Sequence, residues 1–178
     1  MIKLIINATS AELPDLLRLP EIARLVDNGR VSIQSDNVPP ADDLSTRQRG
    51  RVVFEQRARE HGLEIQATTQ PGVTDLLVGG ASGYRPVRLI CSESARLSLR
   101  EEWGKSADLI LAYVWVLPAR PRVFLMSYGE AADVLGESAL KTPSFENNGY
   151  YTTACTPRRQ RAMEHFEDRW EIFEQRSK

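Results

Sequence analysis

Two cysteines and two histidines in 178 residues are too few to build a disulfide framework or a clustered metal site. His61 and His165 lie far apart with no cysteine spacing around them. Cys91 sits in an apolar run and Cys155 in a Thr-rich stretch, so both read as thiols of a reducing compartment. Lysine is scarce as well. Of 23 basic residues only Lys3, Lys105, Lys141 and Lys178 are lysines and the other 19 are arginines, which restricts any catalytic ammonium to four positions. The longest apolar run, residues 109–118, is about half of the ~20 residues a spanning helix needs and reads as a buried strand. The first seven residues carry too short an apolar run for a secretory leader, so the expected location is cytoplasmic with no membrane partner. A net charge of −1 excludes a bulk-basic nucleic-acid coat and leaves only a local patch to make such contacts. Phosphate-loop, dinucleotide-fingerprint, nucleophile-elbow and His-Glu-x-x-His motifs are all missing.

What is present is one core's worth of apolar residues, 42% of the chain, in a pattern that changes near residue 46. Ser10 and Pro20 are placed to open two short helices carrying Leu13, Leu16, Leu17 and Ile22, Leu25, Val26, and Gly29 to stop the second. Val31-Ser-Ile33 alternates as a strand, and residues 34–46, with Pro39-Pro40 and Asp42-Asp43, read as a linker. The expected organisation is a helical extension with linker over 1–45 and an α/β domain over 46–178.

Within that domain residues 47–61 are helical, with Gly62 as the stop. Three strands follow, over 63–67, 73–78 and 87–91, with turns at Pro71-Gly72 and Gly79-Gly80. Residues 95–106 read as helical or irregular, 108–116 and 122–126 as strands, and 129–135 as a short helix ended by Gly136. Residues 142–156 read as loop or edge strand. Thr156-Pro157 then opens a last helix on which Met163, Phe166, Trp170 and Phe173 form one docking stripe. The expected fold is α/β, a mixed central sheet of about five strands flanked by helices.

The chemistry-bearing pattern is Asp75 on the second strand, Glu55 on the preceding helix, and the strand that follows both. Carboxylates converging at a sheet edge can hold Mg²⁺, which takes oxygen ligands and keeps waters for a phosphate and its attacking hydroxide. Gln48-Arg-Gly-Arg-Val-Val-Phe-Glu55, Val73-Thr-Asp-Leu-Leu-Val78 and Val87-Arg-Leu-Ile-Cys91 together resemble the helix and meander of the PD-(D/E)XK nuclease superfamily, the restriction-endonuclease-like fold. Ala107-Asp-Leu-Ile-Leu-Ala-Tyr-Val-Trp115 and Arg122-Val-Phe-Leu-Met126 are similar to the strands that complete its core. The likeness covers about residues 46–135 and implies metal-assisted phosphodiester hydrolysis on DNA.

The chain departs from that pattern at its third strand. There the family reads carboxylate or amide, any residue, lysine, and this chain reads Leu89, Ile90, Cys91. Glu93, two residues on, is the candidate replacement carboxylate, and Lys105 or Arg96 the replacement cation. The expected catalytic set is therefore Asp75, Glu93 and Lys105, and the expected Mg²⁺ ligands are Glu55, Asp75 and Glu93. Bland readings stand beside these: Asp75 as a strand-edge hydrogen-bond acceptor, Glu55 as the i±4 ion partner of Arg51 and Arg59, Cys91 as a small buried hydrophobe. A second pattern, Arg158, Arg159 and Arg161 after Tyr150 and Tyr151, is a candidate nucleic-acid track, the arginines for phosphate and the tyrosines for bases. The competing function is an inactive module of the same fold that binds DNA or a protein partner. A second copy of the chain is a further candidate partner.

Overall fold

Ser45 starts the first helix because its hydroxyl accepts from the amide of Gln48 while the Gln48 side chain accepts from the Ser45 amide, satisfying two donors that a helix start leaves open. The helix, α1 (Thr46–Glu60), buries Gly50, Phe54 and Ala58, four residues apart and hence on one face. A computed structural model describes residues 4–8, 31–35, 44–68, 74–80 and 83–174. The chain divides into two compact units, Met1–Leu44 and Ser45–Lys178.

In the first unit β1 (Leu4–Ala8) and β2 (Val31–Ser35) pair in parallel, Leu4 opposite Val31 and Ala8 opposite Ser35. The strand expected at Val31 is present. β1 has no counterpart in the sequence reading, and the two helices expected between Ser10 and Gly29, Pro39-Pro40, Asp42-Asp43 and the Pro71-Gly72 turn lie outside the described residues.

The second unit is α/β with a mixed five-stranded sheet. β3 (Glu64–Ala67), β4 (Leu76–Gly80) and β5 (Gly83–Ser92) form an antiparallel meander; β7 (Ile110–Trp115) lies parallel to β5, and β8 (Arg122–Met126) closes the far side antiparallel to β7. A parallel neighbour needs a crossover, and this one contains β6 (Arg96–Arg100) and a 3₁₀ turn (Glu101–Lys105). The stretch expected to be helical or irregular is thus half strand. Arg-Leu-Ser-Leu-Arg alternates, and Leu97 and Leu99 are buried while β6 pairs with β9 (Tyr150–Ala154) in a separate two-stranded sheet.

All six residues of β7 are buried because both faces of the sheet are covered. Ile110, Ala112 and Val114 pack with Phe54 and Ala58 of α1, and Leu111, Tyr113 and Trp115 pack on the other face with Leu97, Leu99 and Trp103. Burying each large apolar side chain contributes about 1.5–3 kcal/mol, so this strand is a main source of stability. Gly50 lets α1 approach the sheet closely, since a Cβ there would stand 2.8 Å from the Cβ of Cys91.

After β8, Ser127 and Glu130 make a second capping box at the start of α2 (Tyr128–Leu135). Two short helices follow, α3 (Glu137–Leu140) and α4 (Pro143–Asn148); α4 occupies part of the stretch expected to be loop, and β9 supplies the edge strand. The final helix, α5 (Pro157–Met163), is capped by Thr156 as expected but stops at Met163. The chain continues as two 3₁₀ turns, Glu164–Phe166 and Trp170–Phe173, separated by Asp168, whose φ of 52° is left-handed. The apolar stripe is therefore not on one helix. Glu167 bridges to Phe124 on β8, at the sheet's edge, and the chain passes around that edge. Met163 joins one face of the core, and Trp170 and Phe173 join the other. No helix among the described residues is long and apolar enough to cross a membrane.

Candidate functional site

β5 outruns β4. β4 pairs with β5 only as far as Leu76 opposite Val87, and beyond that point β5 is covered by β7 on one side and, among the described residues, by no strand on the other. Asp75, just ahead of β4, takes up this open edge. Its amide donates to the Val87 carbonyl at 2.8 Å and its Oδ2 accepts from the Leu89 amide at 2.8 Å. Two arginines reach the same carboxylate from opposite faces of the sheet. Arg47, in the first turn of α1, donates to Oδ1, and Arg88 brings its Nε to 3.5 Å from Oδ2 while stacking over Trp103. The Asp75 side chain is 9% exposed and that of Arg47 is 68% exposed.

Leu89 and Cys91, on the same strand as Arg88, offer this carboxylate nothing ionic. Leu89 is buried in the core beneath α1. The Cys91 thiol lies 3.8 Å from the Arg47 carbonyl, and burial pushes its pKa up to about 11 against the opposing pull of the Arg47 charge. It is thus a neutral thiol near pH 7 and an inert one.

The other sequence candidates are dispersed among separate partners. Glu93 lies in the bend after β5, where Thr46 donates to it at 2.7 Å and Arg49 pairs with it, so it braces the start of α1. Glu55 is held by Arg51 at 2.7 Å and Arg59 at 3.1 Å along the helix surface. Among the described residues no group of three or more His, Cys, Asp or Glu side chains is placed to hold a metal. Lys105 ends the 3₁₀ turn and lines a depression with Glu101, Glu102 and Glu146.

The two tyrosines diverge because adjacent strand residues face opposite ways. Tyr151 packs into the core with Leu99, whereas Tyr150 carries the Arg100 guanidinium over its ring at 5.1 Å. Arg158 and Arg159 line a separate cavity of about 480 Å³ between α2 and α5, with Arg159 donating to the Leu135 carbonyl at 2.8 Å, and Arg161 is exposed on α5.

Beside Asp75 the structure builds a feature that the sequence reading did not assemble, a concavity of about 250 Å³. Its wall includes Arg47, Arg88, Arg100, Ser98, Trp103 and Tyr150, drawn from α1, β5, β6, the 3₁₀ turn and β9, with no carboxylate in the lining. The signal for part of it was there. In Arg96-Leu-Ser-Leu-Arg100 the alternation sets Ser98 and Arg100 on one face once Leu97 and Leu99 are recognised as core. No protein-family model matches the sequence, and no curated protein matches it.

Proposed function

We propose that residues 45–178 form a nuclease-like module that binds nucleic-acid backbone without hydrolysing it. The observation that carries this reading is the state of Asp75: its oxygens serve two guanidinium groups and a strand amide. Mg²⁺ requires several oxygen ligands in near-octahedral array. Here one neutralised carboxylate faces Leu89 and the thiol of Cys91, and Glu55 and Glu93 are held by other arginines. That donor set does not fit a divalent cation. What supports membership in the PD-(D/E)XK superfamily is a helix leading into a three-strand meander with an aspartate beside the second strand. What supports binding is a wall of three arginines in a chain of net charge −1, a local patch of the kind phosphate contact requires.

The test is to incubate the protein with supercoiled plasmid and with single-stranded DNA, in Mg²⁺ and in Mn²⁺, beside Asp75→Ala, and to titrate a labelled oligonucleotide in parallel. Every lane is expected to show intact DNA. Binding is expected to weaken with log salt at a slope of about −2 for single strands between about 50 and 200 mM, as three phosphate contacts predict. Cleavage that disappears in Asp75→Ala would establish a working metal site and overturn the module reading. Absence of any salt-dependent binding would overturn it from the other side.

A further inference from the structure

We infer that the concavity bounded by Arg47, Arg88, Arg100, Trp103 and Tyr150 is a binding site for one nucleotide, its phosphate among the arginines and its base stacked at Tyr150. The inference rests on the nucleic-acid reading above and says where and how that contact is made. Three features converge on it. Guanidinium groups match phosphate oxygens in fork geometry, and three of them line the wall with no carboxylate in it. Arg47 and Arg100 are the exposed pair, at 68% and 51%; each also pairs with a carboxylate outside the lining, Asp75 and Glu102, so a phosphate docks as an added partner of guanidinium groups already held in place.

The second feature is the buried tryptophan at the wall. Trp103 is only 3% exposed, and its indole N–H is buried without an acceptor. Buried donors in folded proteins are almost always paired, and an unpaired one is costly. The N–H is sealed from solvent and does not face the open concavity, but Trp103 lines it with the Arg88 guanidinium over its ring, which makes the indole a reporter of a group entering beside it. The third feature is Tyr150. Its ring, stacked with Arg100 and lining the same wall, extends a flat surface on which any base can stack. A volume of about 250 Å³ suits a phosphate and its sugar and excludes a duplex from the interior. The phosphate can come from within a strand, from a strand end, or from a free mononucleotide, and the experiment separates these sources.

Full-length protein is titrated by anisotropy with a 3′-labelled single strand bearing a 5′-phosphate, with the same strand bearing a 5′-hydroxyl, and with unlabelled nucleoside monophosphate as competitor. The indole N–H resonance of Trp103, identified by its loss in Trp103→Phe, is followed by ¹H–¹⁵N NMR. Arg100→Gln and Tyr150→Ala change exposed or half-buried side chains and are each expected to weaken binding about tenfold. Arg59→Gln, exposed at the far end of α1 from Arg47, is expected to change it less than about twofold. The Trp103 resonance is expected to shift on binding. Tighter binding of the 5′-phosphate strand assigns the site to strand ends, and equal binding assigns it to internal phosphates. Wild-type affinity in Arg100→Gln and Tyr150→Ala, with an unmoved Trp103 resonance, overturns this site while leaving nucleic-acid binding intact elsewhere. Binding of mononucleotide without any oligonucleotide keeps the site and overturns the nucleic-acid module. No binding of any of the three probes overturns both.

Discussion

Where β4 stops short, the amide of Leu89 needs an acceptor that no strand among the described residues supplies, and the side chain of Asp75 provides it. The same carboxylate joins α1 to β5, because Arg47 reaches it from one face of the sheet and Arg88 from the other. Removing it leaves a buried donor unpaired and takes one carboxylate contact from an arginine of low exposure. Asp75→Ala is therefore expected to lower unfolding free energy by about 2–3 kcal/mol, read from urea denaturation with an unchanged slope. Asp75→Asn, which keeps an acceptor for the amide, is expected to lose roughly half as much. A wild-type midpoint for Asp75→Ala would remove the structural role assigned to this residue. Only part of this was legible. The i±4 pairing of Glu55 with Arg51 and Arg59 can be read directly from spacing, and the structure contains it. The pairing of Asp75 with Arg47 joins positions 28 apart, and nothing local announces it. The edge-acceptor reading of Asp75 was available from its place in a strand, but its arginines were not.

At the scale of elements, signals that depend on one period and one environment carried through. Residues 47–61 were expected to be helical and α1 runs from Thr46 to Glu60; residues 108–116 were expected to be buried and β7 is buried throughout. The stripe of Met163, Phe166, Trp170 and Phe173 misled, because helical spacing of apolar residues is also met by a chain that rounds an edge strand. Each half of that segment buries its residues on a different face of the sheet. What fastens the turn is ionic. Arg57 donates to both oxygens of Asp168 at 2.6 and 2.7 Å, Arg122 pairs with Glu167, and Arg169 grips Glu130 at 2.7 and 2.8 Å. The Arg169 guanidinium, helped by the Ser127 amide and hydroxyl and opposed by partial burial, holds Glu130 down at about 2 from its ordinary 4.5. A carboxyl whose pKa is depressed by folding adds stability in full above its unfolded value and loses it as pH falls toward its folded one. The window is accordingly from about pH 5 down to pH 2. The Glu130 side chain is 34% exposed, so solvent screening keeps the contribution well below that of a sealed pair. Stability measured across that window is expected to fall less steeply in Glu130→Gln than in the wild type. Identical slopes would show that this pair does not couple the C-terminal turn to α2.

At the scale of the whole molecule, the central sheet divides the second unit into two apolar layers that share β5, β7 and β8 but no helix. α1 and the turn at Trp170 cover one face; β6, the 3₁₀ turn at Trp103, α2 and α5 cover the other. Every buried apolar residue of the described core falls between Phe54 and Phe173, inside the unit Ser45–Lys178. A chain segment holding both layers and the sheet between them has what independent folding requires. Residues 45–178 expressed alone are therefore expected to unfold in one cooperative step. The protein carries its own probes for the question. The three tryptophans are Trp103, Trp115 and Trp170, and they report on both layers, two on one face and one on the other. If the sheet couples the layers, fluorescence of Trp103→Phe/Trp115→Phe, which isolates Trp170, and of Trp170→Phe, which isolates the other layer, will each give the same denaturation midpoint as far-ultraviolet circular dichroism of the same variant. Separated transitions within either variant would mean that the two layers open independently. The arginine-lined concavity includes both Cys91, from the α1 side, and Trp103, from the opposite layer, so independent opening would also dismantle the wall on which ligand binding depends.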